Sequence, residues 1–315
     1  MEKKATRFGF GEALVELGKE NNKIFVLGAD TVSSVALNSF ATLFPTRFLN
    51  VGIAETNLVG IAAGLSLVGF IPFISTYSIF ISGRAWEQIR NTICYSNLNV
   101  KIGGSHSGIT VGADGATHQA LEDISIMRCI PNMNVICPCD FIETKKAVIA
   151  SSKLAGPVYI RYSREETPII TNHDTPFNFG KANILEHGDD VAIIACGNMV
   201  YEALKATQIL KNEKHIHATL INLHTIKPID EDSIIKVAKK CKAIVSVEEH
   251  QIYGGLGSAI SEVLGAKCPT PIEMIGMYDT FGESGKPSEL LAKFKLTSYD
   301  IINRVLKVIQ RKHTN

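Results

Sequence analysis

Short apolar runs alternate with amphipathic stretches from one end of the sequence to the other. An apolar run too short for a helix, followed by a stretch of helical periodicity, marks a βα unit. Repeated units build a mainly parallel sheet covered by helices on both faces. The expected fold class is therefore α/β, with two doubly wound, mainly parallel-sheet domains. In the first, strands are expected at residues 23–28, 48–51, 71–75, 100–104, 135–138 and 158–162, and helices at 11–21, 55–67, 84–95, 122–129 and 142–152. In the second, strands are expected at 190–196, 218–222, 243–248 and 272–276, and helices at 199–211, 231–240, 257–264 and 301–311. The stretch 171–178 is polar, contains Pro176 and lacks periodicity, so it reads as a linker. It divides the 315 residues into domains 1–172 and 178–315, in keeping with about 150 residues per domain.

Composition narrows the function classes. An apolar fraction of 45% with 20% charged residues excludes a mainly disordered chain. A net charge of +1 gives no general pull toward nucleic acid or an anionic membrane, so neither is expected as a partner. The apolar stretch 60–74 is interrupted by Ser66, Gly69 and Pro72 and falls short of the roughly 20 residues that span a bilayer. No apolar run follows the charged start at Lys3, Lys4 and Arg7, so no signal peptide is expected and the cytoplasm is the expected location. Seven cysteines at irregular spacing fit buried thiols better than a disulfide framework. Of the cysteines, Cys137 and Cys139 alone have a spacing that suits metal or redox use; His106, Asp114 and His118 are a weak metal-ligand set in a glycine-rich loop, and no metal ligands are assigned to the chain.

Four segments carry groups able to do chemistry. Glu55 stands where a strand hands over to an apolar helix, the place at which open α/β sheets bind ligands; an acidic residue there also suits the helix dipole without any further role. Between Gly104 and Gln119 the chain holds His106, Asp114 and His118 among several glycines. Glycines let backbone approach a ligand, and imidazoles can bind hydroxyls or move protons near neutral pH. A turn-rich surface loop would have the same composition. Arg161 and Arg164, at the end of a strand, suit recognition of a phosphate or carboxylate, or a surface ion pair. Tyr77 and Phe80 could stack on a flat heterocycle or simply fill the core. The glycines of Gly254-Gly255-Leu256-Gly257 read as a helix start rather than a phosphate cradle.

Taken together, Gly52-Ile53-Ala54-Glu55, the run Gly112-Ala113-Asp114-Gly115-Ala116-Thr117-His118-Gln119, and Asp190-Val191-Ala192-Ile193-Ile194-Ala195-Cys196-Gly197 resemble the transketolase family of thiamine diphosphate enzymes. The resemblance is to the C-terminal half of such an enzyme, a pyrimidine-binding domain followed by the transketolase C-terminal domain. It implies that Glu55 hydrogen-bonds N1′ of the cofactor's aminopyrimidine. An apolar surrounding would favour the protonated carboxyl, and sharing that proton promotes loss of the thiazolium C2 proton. Tyr77 and Phe80 match the aromatic wall beside the pyrimidine, whose third member falls at Gly83. By the same resemblance, His118 and Asp114 hold the hydroxyls of the transferred two-carbon unit and His106 helps bind the sugar phosphate. Arg7, Ser34 and Arg164 fall at the remaining phosphate-binding positions. Arg161-Tyr162 looks more like the related 1-deoxy-D-xylulose-5-phosphate synthases, whereas His106 favours transketolase.

The family's Gly-Asp-Gly motif, which with a later Asn binds Mg2+ and the diphosphate, does not occur in this sequence. The resemblance therefore implies a split enzyme. Mg2+, which needs hard oxygen ligands, and the diphosphate would be held by a separate N-terminal subunit of about 270 residues. Two copies of each chain would form a heterotetramer acting on sugar phosphates. The C-terminal domain would be structural and would add interface. Alternatives are half of a deoxyxylulose-phosphate synthase, the β subunit of a 2-oxoacid dehydrogenase, or a catalytically silent scaffold. The last is disfavoured by the presence of Glu55.

Overall fold

The computed structural model describes residues 1–314; Asn315, the last residue of the expected second domain, lies outside the described residues. In chain order the strands are β1 (Lys3–Ala5), β2 (Ile24–Gly28), β3 (Phe48–Asn50), β4 (Ile71–Tyr77), β5 (Lys101–Ser105), β6 (Asn134–Ile136) and β7 (Val158–Arg161). They continue with β8 (Glu166–Pro168), β9 (Asn183–Glu186), β10 (Val191–Ala195), β11 (Ala218–Asn222), β12 (Thr225–Lys227), β13 (Ile244–Gln251) and β14 (Ile272–Met277). The first large sheet runs β12-β6-β7-β5-β4-β2-β3, and the second runs β14-β13-β10-β11-β9. Both are parallel except at one edge, where β12 and β9 are antiparallel. β1 and β8 form a separate antiparallel pair that ties the start of the chain to the end of its first half.

Each expected strand has a counterpart in one of the two sheets. Strands β1, β8, β9 and β12 have no counterpart in the sequence reading. They are three or four residues long and largely polar, too short to show a period. The helix expected at 84–95 is corrected. The chain there forms a helix at Ser78–Arg84, a single turn at Trp86–Gln88 and a π-helical segment at Ile89–Cys94. The Ser82 hydroxyl donates to the Ser78 carbonyl at 2.6 Å, a bond to position i−4 that bends helices.

The two halves do not part cleanly at the linker. β12, from the second half, pairs with β6 of the first sheet, with Thr225 opposite Ile136. One apolar cluster runs from Leu27, Ile74 and Ile102 through Cys137 to Ile194, Leu223 and Ile226. The linker itself is pinned: Thr171 donates to Asp140 through both its N–H and its hydroxyl, and the Phe177 ring stacks 4.3 Å from His224. All seven cysteines are free thiols and five of them are buried. Among the described residues no helix is long and apolar enough to cross a membrane.

Parallel strands put all their carboxyl ends on one edge of the sheet, and open α/β folds bind ligands beyond that edge. In the first sheet that edge delivers Glu55 after β3, Tyr77 at the end of β4, His106 after β5 and Arg164 after β7.

Candidate active site

Glu55 opens the helix Glu55–Leu67, and its side chain is 4% exposed. Its surroundings differ from the apolar enclosure expected from the sequence. Arg84 Nη1 donates to Oε1 at 3.1 Å and to Oε2 at 3.3 Å. The same guanidinium lies 4.1 Å from the centroid of the Phe80 ring, so Arg84 links the buried acid to the aromatic wall.

Four rings gather beside this pair. Tyr77 and Phe80 are stacked with centroids 5.6 Å apart, and His106 stacks on Tyr77 at 3.9 Å with 16° between the planes. His118 approaches both aromatic rings edge-on, at 6.0 Å and 5.3 Å. The structure thus brings together four residues drawn from two motifs, separated in sequence by β5. His106 has φ +55°, a backbone state uncommon for non-glycine residues and one that collects at functional sites. Burial, and then the positive charges of Arg7 and Arg164 and the neighbouring His118, push the His106 imidazole down to about 3. It is neutral at physiological pH, so any bond it makes to a phosphate is a neutral hydrogen bond and not a charge pair.

The cationic positions fall into two groups. Arg7 Nη1 donates to the Ser34 carbonyl at 3.0 Å, while its buried Nε has no partner. Arg164 sits 3.2 Å from Asp114 and donates to the Val111 carbonyl at 3.1 Å. Both arginines act electrostatically on His106, and Ser34 and Asp114 are joined to the site through them. Arg161 is a correction. It is 4% exposed, its Nε donates to both Asp123 oxygens, and its Nη2 donates to the carbonyls of Ala120 and Glu249. A buried guanidinium so committed is not free to bind substrate; it joins the two domains.

The loop carrying Asp114 and His118 is held from the second domain, which the sequence reading left with no part in the site. Glu249 Oε1 accepts the Thr110 N–H at 2.6 Å, at the start of the 3-10 helix Ile109–Asp114. Gly108, at φ +81°, makes room for it: a Cβ there would meet Glu249 Oε1 at 2.4 Å. Successive strand residues face opposite ways, and the adjacent Glu248 turns back to accept the N–H groups of Leu256 and Gly257 in its own domain. Gln119 Nε2 donates to the Ile109 and Glu283 carbonyls. A Cβ on Gly282 would meet Gln119 Oε1 at 2.0 Å, so the segment around Gly282 can lie flush on the loop. Arg84, Gln119 and Glu249 are the site residues missed from sequence. The one available signal was the acidic pair Glu248-Glu249 following the mainly apolar run Ile244–Val247 in β13.

Comparison with known proteins agrees with this layout. The transketolase pyrimidine binding domain family matches residues 2–169, and the transketolase C-terminal domain family matches residues 180–301. The chain belongs to the transketolase family. A transketolase C-terminal section of Methanocaldococcus jannaschii is 47% identical over 312 residues, covering 98% of each chain. A 6-deoxy-6-sulfo-D-fructose transketolase subunit of Clostridium sp. strain MSTE9 is 40% identical, covering 96% of this chain and 94% of its own. Among solved structures, a split-gene transketolase described as an inactive β4 tetramer superposes with a TM-score of 0.92 at 46% identity, covering 98% of this chain and 99% of that one. The chain is thus a transketolase C-terminal subunit of the split type, in a family of thiamine diphosphate enzymes.

Proposed function

We propose that this chain supplies the pyrimidine-binding and sugar-binding half of a thiamine diphosphate-dependent transketolase that moves a two-carbon ketol unit between sugar phosphates. The observation that carries this reading is a buried carboxylate at a helix start linked through Arg84 to a stacked aromatic pair that two imidazoles approach. That set fits an aminopyrimidine: Glu55 offers a carboxyl group to share a proton with a ring nitrogen, and Phe80 a face for the ring. When bound, the cofactor would supply a carbon nucleophile and an electron sink for carbon–carbon cleavage. Glu55 would hold a proton at its carboxylate oxygens, opposite N1′. Neutral His106 would donate to or accept from sugar hydroxyls, as would His118, and Asp114 would accept from one of them. Arg7 and Arg164 would hold the phosphate, with Ser34 beside Arg7.

Mg2+ and the diphosphate are assigned to a separate N-terminal subunit of about 270 residues, because the motif that holds them has no counterpart in this sequence. Two copies of each chain would make the working heterotetramer. The inactive β4 state described for the structural neighbour supports a lone chain without turnover. Buried free thiols support a reducing compartment, the cytoplasm.

The test is a ketol-transfer assay with xylulose 5-phosphate, ribose 5-phosphate, thiamine diphosphate and Mg2+, on this chain alone and mixed with the N-terminal subunit. Turnover is expected only in the mixture. Glu55→Gln should lower kcat there by about 10² to 10⁴, the usual worth of a positioned acid or base. Turnover by the lone chain would refute the shared site. Cofactor binding without ketol transfer in the mixture would move the substrate to pyruvate or another sugar.

A further inference from the structure

Both groups that the aminopyrimidine would use are held in this structure by one residue, Arg84. Its Nη1 donates to both oxygens of Glu55, and its guanidinium lies 4.1 Å from the Phe80 centroid. The two contacts have one chemical basis. A guanidinium is flat, cationic and rich in N–H donors, so it stacks on an aromatic face and donates to a carboxylate. A protonated aminopyrimidine would make the same two contacts on the same two partners.

Arg84 ends the helix Ser78–Arg84, one residue past Gly83. Gly83 stands where the resemblance places a third aromatic residue, and nothing lies within 4 Å of the point its Cβ would occupy. Glu55 and Arg84 also differ in freedom: the carboxylate is 4% exposed and the arginine side chain 49%. The arginine can leave toward solvent, whereas the acid is fixed at the start of its helix.

We propose that Arg84 is a positioning residue that acts through Glu55: in the cofactor-free chain it holds the carboxylate and covers the Phe80 face, and it yields both to the aminopyrimidine, so cofactor binding competes with this ion pair. The inference rests on the proposed function. A half-exposed ion pair is worth only a small factor in equilibrium because solvent screens it, about twofold to fivefold, and the lost stacking adds a similar factor.

The experiment is calorimetric titration of thiamine diphosphate with Mg2+ into the complex of this chain with its N-terminal subunit. It compares wild type, Arg84→Ala and Arg84→Lys. Arg84→Ala is expected to bind the cofactor about threefold to tenfold more tightly, and Arg84→Lys, which keeps the charge but loses the flat face, to fall between the two. An arginine that merely supports the fold would give weaker binding when removed, so the sign separates the roles. Unchanged or weaker binding in Arg84→Ala, with wild-type binding intact, overturns the inference and leaves the proposed function standing. Absence of binding in every protein, wild type included, overturns the proposed function and this inference with it.

Discussion

His106 is 1% exposed, its Nδ1 lies 2.9 Å from the Ser105 hydroxyl, and its ring is stacked on Tyr77. A histidine two arginines away from a phosphate invites a charged role, but burial and those same arginines hold it at about 3. In the proposed site any bond it makes to substrate is then a neutral hydrogen bond, worth about 0.5–1.5 kcal/mol. His106→Ala is accordingly expected to raise KM for the ketose phosphate by about threefold to tenfold, by the same factor at every pH from 5 to 8. An inflection in wild-type KM near pH 6.5 that disappears in the variant would show that His106 ionises and would refute the neutral reading. At this scale the family motifs marked Glu55, Tyr77, Phe80 and His118 as candidates, and the fold brings them into one neighbourhood. The sequence was misleading for Arg161, whose partners Asp123, Ala120 and Glu249 are brought together only by the fold.

The 3-10 helix Ile109–Asp114 is too short to hold itself, since so few of its backbone bonds are internal. Its stability comes from Glu249, which is 3% exposed and reaches the Thr110 N–H from the end of β13. Truncating that carboxylate leaves a buried N–H without a partner, at a cost of about 1–3 kcal/mol. Glu249→Ala should therefore speed amide hydrogen exchange across residues 109–119 in this chain alone, and in the active mixture lower kcat/KM for the sugar phosphate about tenfold without changing cofactor affinity. Glu249→Gln, which keeps an acceptor oxygen, should restore most of both. Exchange rates in that loop that match wild type would show that Glu249 does not order it. The strand and helix rhythm was legible because burial on both faces forces apolar runs. The clamp was not, because a carboxylate reaching across a domain interface leaves no periodic trace. For the same reason β12 was invisible: three residues that complete another domain's sheet have no local signature.

At the scale of the whole molecule, the contacts that weld the halves are polar groups buried beside a shared apolar core. Glu143 accepts from the Cys139 N–H and from Asn222 Nδ2, across the interface. The His224 carbonyl accepts the Cys137 N–H at 2.7 Å, and His250 Nε2 faces the Ser125 N–H at 3.4 Å. Burial pushes His224 and His250 down to about 4, and it pushes Glu143 and Glu248 up to about 7. The two classes act on stability with opposite signs. Below the ordinary histidine value of 6.5 the unfolded chain takes up protons that the folded histidines refuse, so acidification destabilises the fold through them. Between 4.5 and about 7 the folded glutamates keep protons that the unfolded chain has lost, so acidification stabilises it through them. The expected curve of unfolding free energy against pH is therefore flattened between about 4.5 and 6.5. Glu143→Gln removes one group from the opposing class. Besides a uniform loss from the altered hydrogen bond, it should make the slope in this window more positive by up to about 1.4 kcal/mol per pH unit, the value of one proton. Urea unfolding at half-unit steps of pH measures that slope, and a variant curve parallel to wild type would mean that Glu143 carries the same charge folded and unfolded.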